Sequence, residues 1–264
     1  MLIAMAVLVM GLVVGSFLNV CIYRLPRDLS VVRPRSFCPK CGTTIRWYDN
    51  IPVLSYLLLK GRCRHCGKRI DFRYPAVEAL TAALFVVAFL HLGLSLQTLR
   101  LWALAALLLA LIFTDLETRI LPDELTLGGA MGGLALAVLA PLKPFWILLV
   151  APEGWPARVL SLGEAALGAT VTAGLLWLMG AIYRKVRKRE GMGLGDVKMA
   201  AMLGAFFGLY EAMLALLIGS LLGSVTGLAF ITATGKKASE YELPFGSFLG
   251  AGGLAVGFLV HPLL

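Results

Sequence analysis

Four of the five cysteines stand in two short pairs, Cys38-Pro39-Lys40-Cys41-Gly42 and Cys63-Arg64-His65-Cys66-Gly67. A C-x-x-C-G knuckle curls its two sulfurs toward one point, and the glycine relieves the backbone just after the second cysteine. Two such knuckles complete a tetrahedral set of thiolates, so Cys38, Cys41, Cys63 and Cys66 form the expected ligand set of one zinc ion. The competing arrangement, two disulfides, is disfavoured in a reducing cytosol. A closed four-thiolate site leaves no open coordination position, so this zinc is structural and not catalytic. His65 reads as a surface residue inside its knuckle, and Cys21, in an apolar stretch, as a small buried side chain.

The second set of reactive residues is acidic: Asp115 at the end of one apolar segment, and Asp123, Glu124 and Asp196 at the starts of others. Ionisable side chains at such depth are costly and usually functional. Asp115 follows Leu111-Ile112-Phe113-Thr114 without an intervening loop. Asp196 closes Gly191-Met192-Gly193-Leu194-Gly195-Asp196, where Gly193 and Gly195 allow backbone and substrate to approach closely. Two carboxyl groups at one depth suggest a dyad. Like charges so close cannot both ionise, so one group keeps a proton while the other activates a water. Simpler roles compete. Asp123 and Glu124 directly follow Pro122 and suit the first turn of a helix, where the dipole favours acids. Asp196 also suits an N-cap, with Lys198 snorkelling to the interface.

The elements that must position these residues are membrane helices. The chain is 59% hydrophobic and 15% charged with a mean hydropathy of +0.86, which excludes an ordinary soluble domain. Apolar stretches at about 2–22, 75–92, 99–114, 125–142, 160–183, 197–209, 212–233 and 245–264 predict an all-α polytopic protein with about eight transmembrane helices. The short pair around Gly208–Glu211 is the weakest of these. The first stretch lacks a basic flank before Met10 and a small-residue cleavage site, so it reads as a retained helix. Three domains are expected: a first transmembrane helix, 1–23; a zinc-ribbon-like cytoplasmic loop, 24–73; and a transmembrane domain, 74–264, carrying the carboxylates. The glycines at Gly219, Gly223 and Gly227 have the spacing of close helix packing in a bilayer.

Net charge is +9, and its placement matters more than its sum. Basic residues crowd the segment from Arg24 to Arg73, recur at Arg184-Lys185-Val186-Arg187-Lys188-Arg189, and end at Lys236-Lys237. The positive-inside rule puts all three clusters in the cytoplasm and both termini outside. Loop bias for insertion therefore accounts for the charge without a nucleic-acid partner. The segment from Leu142 to Arg158, with Trp146 and Trp155, is expected at the outer interface. No Gly-rich dinucleotide loop is present.

Taken together the motifs resemble those of the type IV prepilin peptidases, bifunctional leader peptidase/N-methyltransferases of the GxGD aspartyl protease group. Gly15-Ser16-Phe17-Leu18-Asn19-Val20 with Tyr23-Arg24-Leu25-Pro26 is similar to the family's opening. Arg35-Ser36-Phe37-Cys38-Pro39, Asp49-Asn50-Ile51-Pro52-Val53-Leu54-Ser55-Tyr56 and Gly61-Arg62-Cys63 resemble its zinc loop. Asp115 with Leu121-Pro122-Asp123 resembles its first aspartate motif, and Gly193-Leu194-Gly195-Asp196-Val197-Lys198 its second. Pro244-Phe245-Gly246 resembles a further segment near the active site, with Ser247 where a second proline is expected.

The resemblance implies a bacterial inner-membrane protease with Asp115 and Asp196 as the catalytic pair and Asp123, Gly193, Gly195 and Lys198 as supporting residues. It implies prepilin or pseudopilin substrates of type IV pili or type II secretion, cut where a basic cytosolic leader meets an apolar helix. It also implies methylation of the new N-terminus from S-adenosylmethionine. Membrane lipid is the remaining partner. Two rivals are a proton-coupled transporter using the aspartates as a relay and a zinc-ribbon scaffold without chemistry. A transporter predicts inverted repeats and broken midplane helices, whereas these aspartates lie at span ends, and a scaffold needs neither carboxylate.

Overall fold

The computed structural model describes residues 1–151, 154–188, 192–234 and 243–260. Pro152, Arg189, Gly191, Lys236 and Lys237, which enter the topology and motif readings above, lie outside the described residues, as does the end of the last expected span. Among the described residues the chain is helical, with only two isolated β-bridges. Nine α-helices follow in order among them: α1 Leu2–Arg24, α2 Leu54–Leu58, α3 Arg73–Leu92, α4 Leu96–Thr118, α5 Asp123–Leu139, α6 Ala157–Arg187, α7 Leu194–Phe207, α8 Leu209–Thr234 and α9 Phe245–Ala255. The last continues as a π-helical turn, Val256–Val260.

Each expected apolar stretch holds one of the long helices. Five of these, α1, α3, α4, α6 and α8, are long and apolar enough to cross a membrane. The other three are shorter: α5 has 17 residues, α7 has 14, and α9 with its π turn runs Phe245–Val260. The division between α7 and α8 falls at Gly208, whose φ of +78° suits only a residue without a Cβ.

The contact pattern separates Met1–Ala110 from Leu111–Leu264, the division falling inside α4. In the first unit α1 packs on α3 through Gly11 and Gly15. A Cβ there would lie 2.5 Å from Ala82 Cα and 2.6 Å from Glu78 Cα, so the two backbones touch only because those side chains are missing. Buried Asn19 reinforces the pair by donating from Nδ2 to the Tyr74 carbonyl at 3.0 Å. Where α1 ends, Arg24 turns back to donate to the carbonyls of Ser30, Pro34 and Arg35 at 2.8, 2.8 and 3.2 Å and fixes the start of the cysteine loop.

In the second unit α7 is the core. It packs against α5, α6, α8 and α9, and Met199, Ala200, Met202, Leu203 and Ala205 are wholly shielded. Small residues again set the approach: Gly168 of α6 meets the backbone at Gly204 and Gly208, and Gly133 of α5 meets Ala205 and Phe206. Thr172 of α6 donates to the Ala200 carbonyl at 2.9 Å. On α8, Gly219, Gly223 and Gly227 face Leu249, Phe248 and Leu243, the packing that their spacing predicts.

Candidate functional site

The four loop cysteines converge as their spacing requires. Their sulfurs all lie within 4.8 Å of one another. A tetrahedron of Zn–S bonds near 2.3 Å sets sulfurs about 3.8 Å apart, so the cluster fits one such ion with little adjustment. Each knuckle closes on its glycine. Gly42 N–H donates to the Cys38 carbonyl at 2.8 Å and Gly67 N–H to the Cys63 carbonyl at 2.9 Å, with φ of +71° and +67°. The thiols are unequal. Hydrogen bonds from Thr43 lower Cys41 to about 6, whereas burial raises Cys38 to about 11. Between the second pair, Arg64 grips Asp49 with Nε and Nη2 at 2.7–3.0 Å, which ties that knuckle to the segment before α2 and holds the Asp49 carboxyl below its usual range. Cys21 is buried and His65 exposed, as expected.

At the other site Asp115 lies in the last turn of α4 and is 5% exposed. Its Oδ2 accepts two hydrogen bonds from Ser247 of α9: the backbone N–H at 2.7 Å and the hydroxyl at 2.8 Å. Asp196 lies on α7, close enough for the Asp115 charge to act on its carboxyl. Its position departs from the N-cap alternative. Gly193 is the N-cap and Asp196 is the third helical residue, with the Gly193 backbone N–H acting on its carboxyl. That is the sequence position of the acid in a capping box.

Leu121 fits between the glycines of two motifs: a Cβ on Gly195 would lie 3.0 Å from Leu121 Cβ, and one on Gly246 2.9 Å from Leu121 Cδ1. Asp123 and Glu124 open α5, as the preceding proline predicts. Asp123 is also paired, with Lys198 Nζ 2.6 Å from its Oδ1. Lys198 therefore binds the start of α5 and does not snorkel alone.

Sequence reasoning missed three residues. Ser247 registered only as a departure from an expected proline. Glu78 is buried on α3 and accepts the Val53 N–H at 2.7 Å, holding a β-branched residue at a φ of +59°. Glu164, buried on α6, accepts the N–H groups of Phe145 and Ile147 at 3.2 and 2.9 Å and pins the segment after α5. A lone acid inside each of two apolar stretches was the available signal.

Fold and site thus define a helical membrane protein with a carboxyl pair, one member buried and the other partly buried, and a separate four-cysteine cluster. Residues 9–92 match the bacterial peptidase A24 N-terminal domain and residues 102–228 the type IV leader peptidase family. A prepilin leader peptidase/N-methyltransferase of Myxococcus xanthus is 40% identical over 91% of this chain and 67% of its own length. Relatives of the same description from Burkholderia pseudomallei and Aeromonas salmonicida are each 36% identical, over 97% and 94% of this chain and 85% and 87% of theirs. The chain belongs to the type IV leader peptidase family. No solved structure matches it.

Proposed function

We propose that this protein is an aspartyl endopeptidase of the bacterial inner membrane that removes the leader of type IV prepilins or pseudopilins at the cytoplasmic boundary, and that it N-methylates the residue so exposed. The observation that carries the peptidase half is the meeting of Asp115 and Asp196, from two motifs far apart in sequence, at the start of the most enclosed helix. Such a pair activates water without a covalent intermediate: one carboxylate takes the proton of the attacking water, and the protonated partner donates to the scissile carbonyl oxygen. Gly195 gives Leu121 room to pack beside Asp196, and the Asp123–Lys198 pair fixes α5 to α7 there. The descriptions of the relatives support the substrate class and the second activity.

In this reading Cys38, Cys41, Cys63 and Cys66 hold zinc, whose part is to close a loop too poor in apolar residues to fold firmly alone. The chain would cross the membrane eight times, with domains at 1–23, 24–73 and 74–264 and the loop and both aspartates on the cytosolic side. For the methyl donor S-adenosylmethionine, the first unit has a cleft of about 450 Å³ lined in part by Ser16, Phe17, Arg35, Trp47 and Asn50. That volume and its mix of aromatic and polar groups suit a small-molecule site.

The test is cleavage of a purified prepilin by the full-length protein. Asp115→Asn and Asp196→Asn should each abolish cutting while the protein stays folded and zinc-loaded, and the double variant should be scarcely worse than either. Normal cutting by both single variants would remove the peptidase assignment.

A further inference from the structure

The two aspartates are unequally supplied with donors. Asp115 Oδ2 receives both the N–H and the hydroxyl of Ser247 in a buried setting, Ser247 itself being 6% exposed. Among the hydrogen bonds described none reaches the Asp196 carboxyl, on which the Gly193 backbone N–H acts from the N-cap. Each Ser247 donor has a second acceptor nearby, the Pro244 carbonyl at 3.2 Å from the N–H and the Ile112 carbonyl at 3.1 Å from the hydroxyl, yet the Asp115 contact is the shorter in both cases. Donors aimed at a carboxyl oxygen favour its ionised form, and bonds to an ionised group are roughly twice as strong as neutral ones.

Among the described residues, the remaining charges near the pair do not redress this imbalance. Helix α9 carries no ionisable side chain between Phe245 and Ala255. Asp123 of α5 and Lys198 of α7 satisfy each other, and Glu117, Arg119 and Glu124 are exposed. The carboxyl on which the Asp115 charge acts is that of Asp196. The helix dipoles push the other way, because Asp115 ends a helix and Asp196 begins one. That effect is weaker than a direct hydrogen bond to an ionised group.

Resting on the peptidase reading above, we propose that Ser247 is a positioning residue that keeps Asp115 as the carboxylate base, so that Asp196 holds the shared proton and is the acid. Asp115 removes a proton from the water as its oxygen bonds to the scissile carbon. The carbonyl electron pair moves to oxygen, which takes the proton of Asp196. In the collapse of the gem-diol the C–N bond breaks, Asp115 returns its proton to the departing nitrogen, and one hydroxyl returns a proton to Asp196. Both aspartates end as they began.

The test is the pH–rate profile of prepilin cleavage by the full-length protein and by Ser247→Ala, Ser247→Pro and Ser247→Thr. Ser247→Ala removes the hydroxyl and should move the acidic limb about one pH unit upward, the shift that losing one hydrogen bond to an ionised group produces. Ser247→Pro removes both donors and should move it further, without leaving the first turn of α9, where proline is tolerated. Ser247→Thr should restore the original limb, and the alkaline limb, which reports loss of the Asp196 proton, should stay in place. A shift confined to the alkaline limb would assign the proton to Asp115 and overturn the proposal. A lower rate with both limbs unmoved would reduce Ser247 to packing. Failure of the peptidase reading itself is read separately, from the aspartate-to-asparagine variants.

Discussion

Gly246→Ala tests how closely the site is fitted. The new Cβ would lie 2.9 Å from Leu121 Cδ1, 3.1 Å from its Cδ2 and 3.2 Å from Asp115 Cγ. Carbon atoms rest at about 3.5–4.0 Å, so roughly half an ångström must be found. The Leu121 methyls can yield part of it. Asp115, held by two bonds from Ser247, the residue after Gly246 in α9, cannot move without disturbing them. Overpacking of this kind costs about 1–3 kcal/mol, offset by the about 0.5–1 kcal/mol that alanine gains over glycine in a helix. The expected net loss of stability is therefore about 1 kcal/mol. Catalysis is more sensitive, because a 1 Å misplacement of a reacting group costs about 10²-fold; half that displacement gives roughly a tenfold fall in kcat. Measuring kcat and KM separately on a purified prepilin, beside a thermal melt, separates the two effects. Adding Leu121→Ala should recover most of the rate. Gly246→Ala cutting at the wild-type rate would refute the claim that Gly246 is there for close approach.

Three further outcomes are expected. The loop should carry one zinc, lost in Cys38→Ser or Cys63→Ser but retained in Cys21→Ser by elemental analysis. Thiolates bind the metal and protons compete for them, so zinc should leave on acidification and not on alkalinisation. Asp123→Asn and Lys198→Ala should each slow cleavage less than Asp115→Asn does, because the pair is partly solvent-exposed and worth under about 1 kcal/mol; loss of all cutting in Asp123→Asn would place it in the dyad instead. Labels at Lys60 and Lys188 should report the cytosol and a label at Arg158 the outside, and outward exposure of Lys60 would overturn the placement of loop and site.

Much of this was legible because the signals are local. The cysteine knuckles, the glycine spacing on α8 and the acids after Pro122 each depend on residues a few positions apart, and the structure reproduces them. What was not legible depends on tertiary approach. Nothing in the vicinity of Lys198 names Asp123, 75 positions away, as its partner. Span counting also lost information: α7 has only 14 residues, too few to cross a bilayer unaided, and its four neighbours shield it. Glu78 and Glu164 stood out only as lone acids in apolar stretches, and the backbone N–H groups they serve, 17–25 positions away, could not be named from sequence.

The same limit governs the chemistry of the pair. The sequence leaves open which aspartate carries the proton, and local structure favours Asp196 as the anion, since it stands in the first turn of a helix, where the dipole favours a negative charge, while Asp115 ends one, where it does not. Those end effects are worth about 0.3–1 kcal/mol each at exposed sites. A hydrogen bond to an ionised group is worth about 1.5–3 kcal/mol, and Asp115 has two, both from a residue 132 positions away. The tertiary contact is the larger quantity, so it reverses the order that local structure suggests. A serine standing where a second proline was expected is thus a replacement with a chemical consequence. Proline at this position could offer neither donor, and a chain carrying it would have to set the charge of its first aspartate by other means.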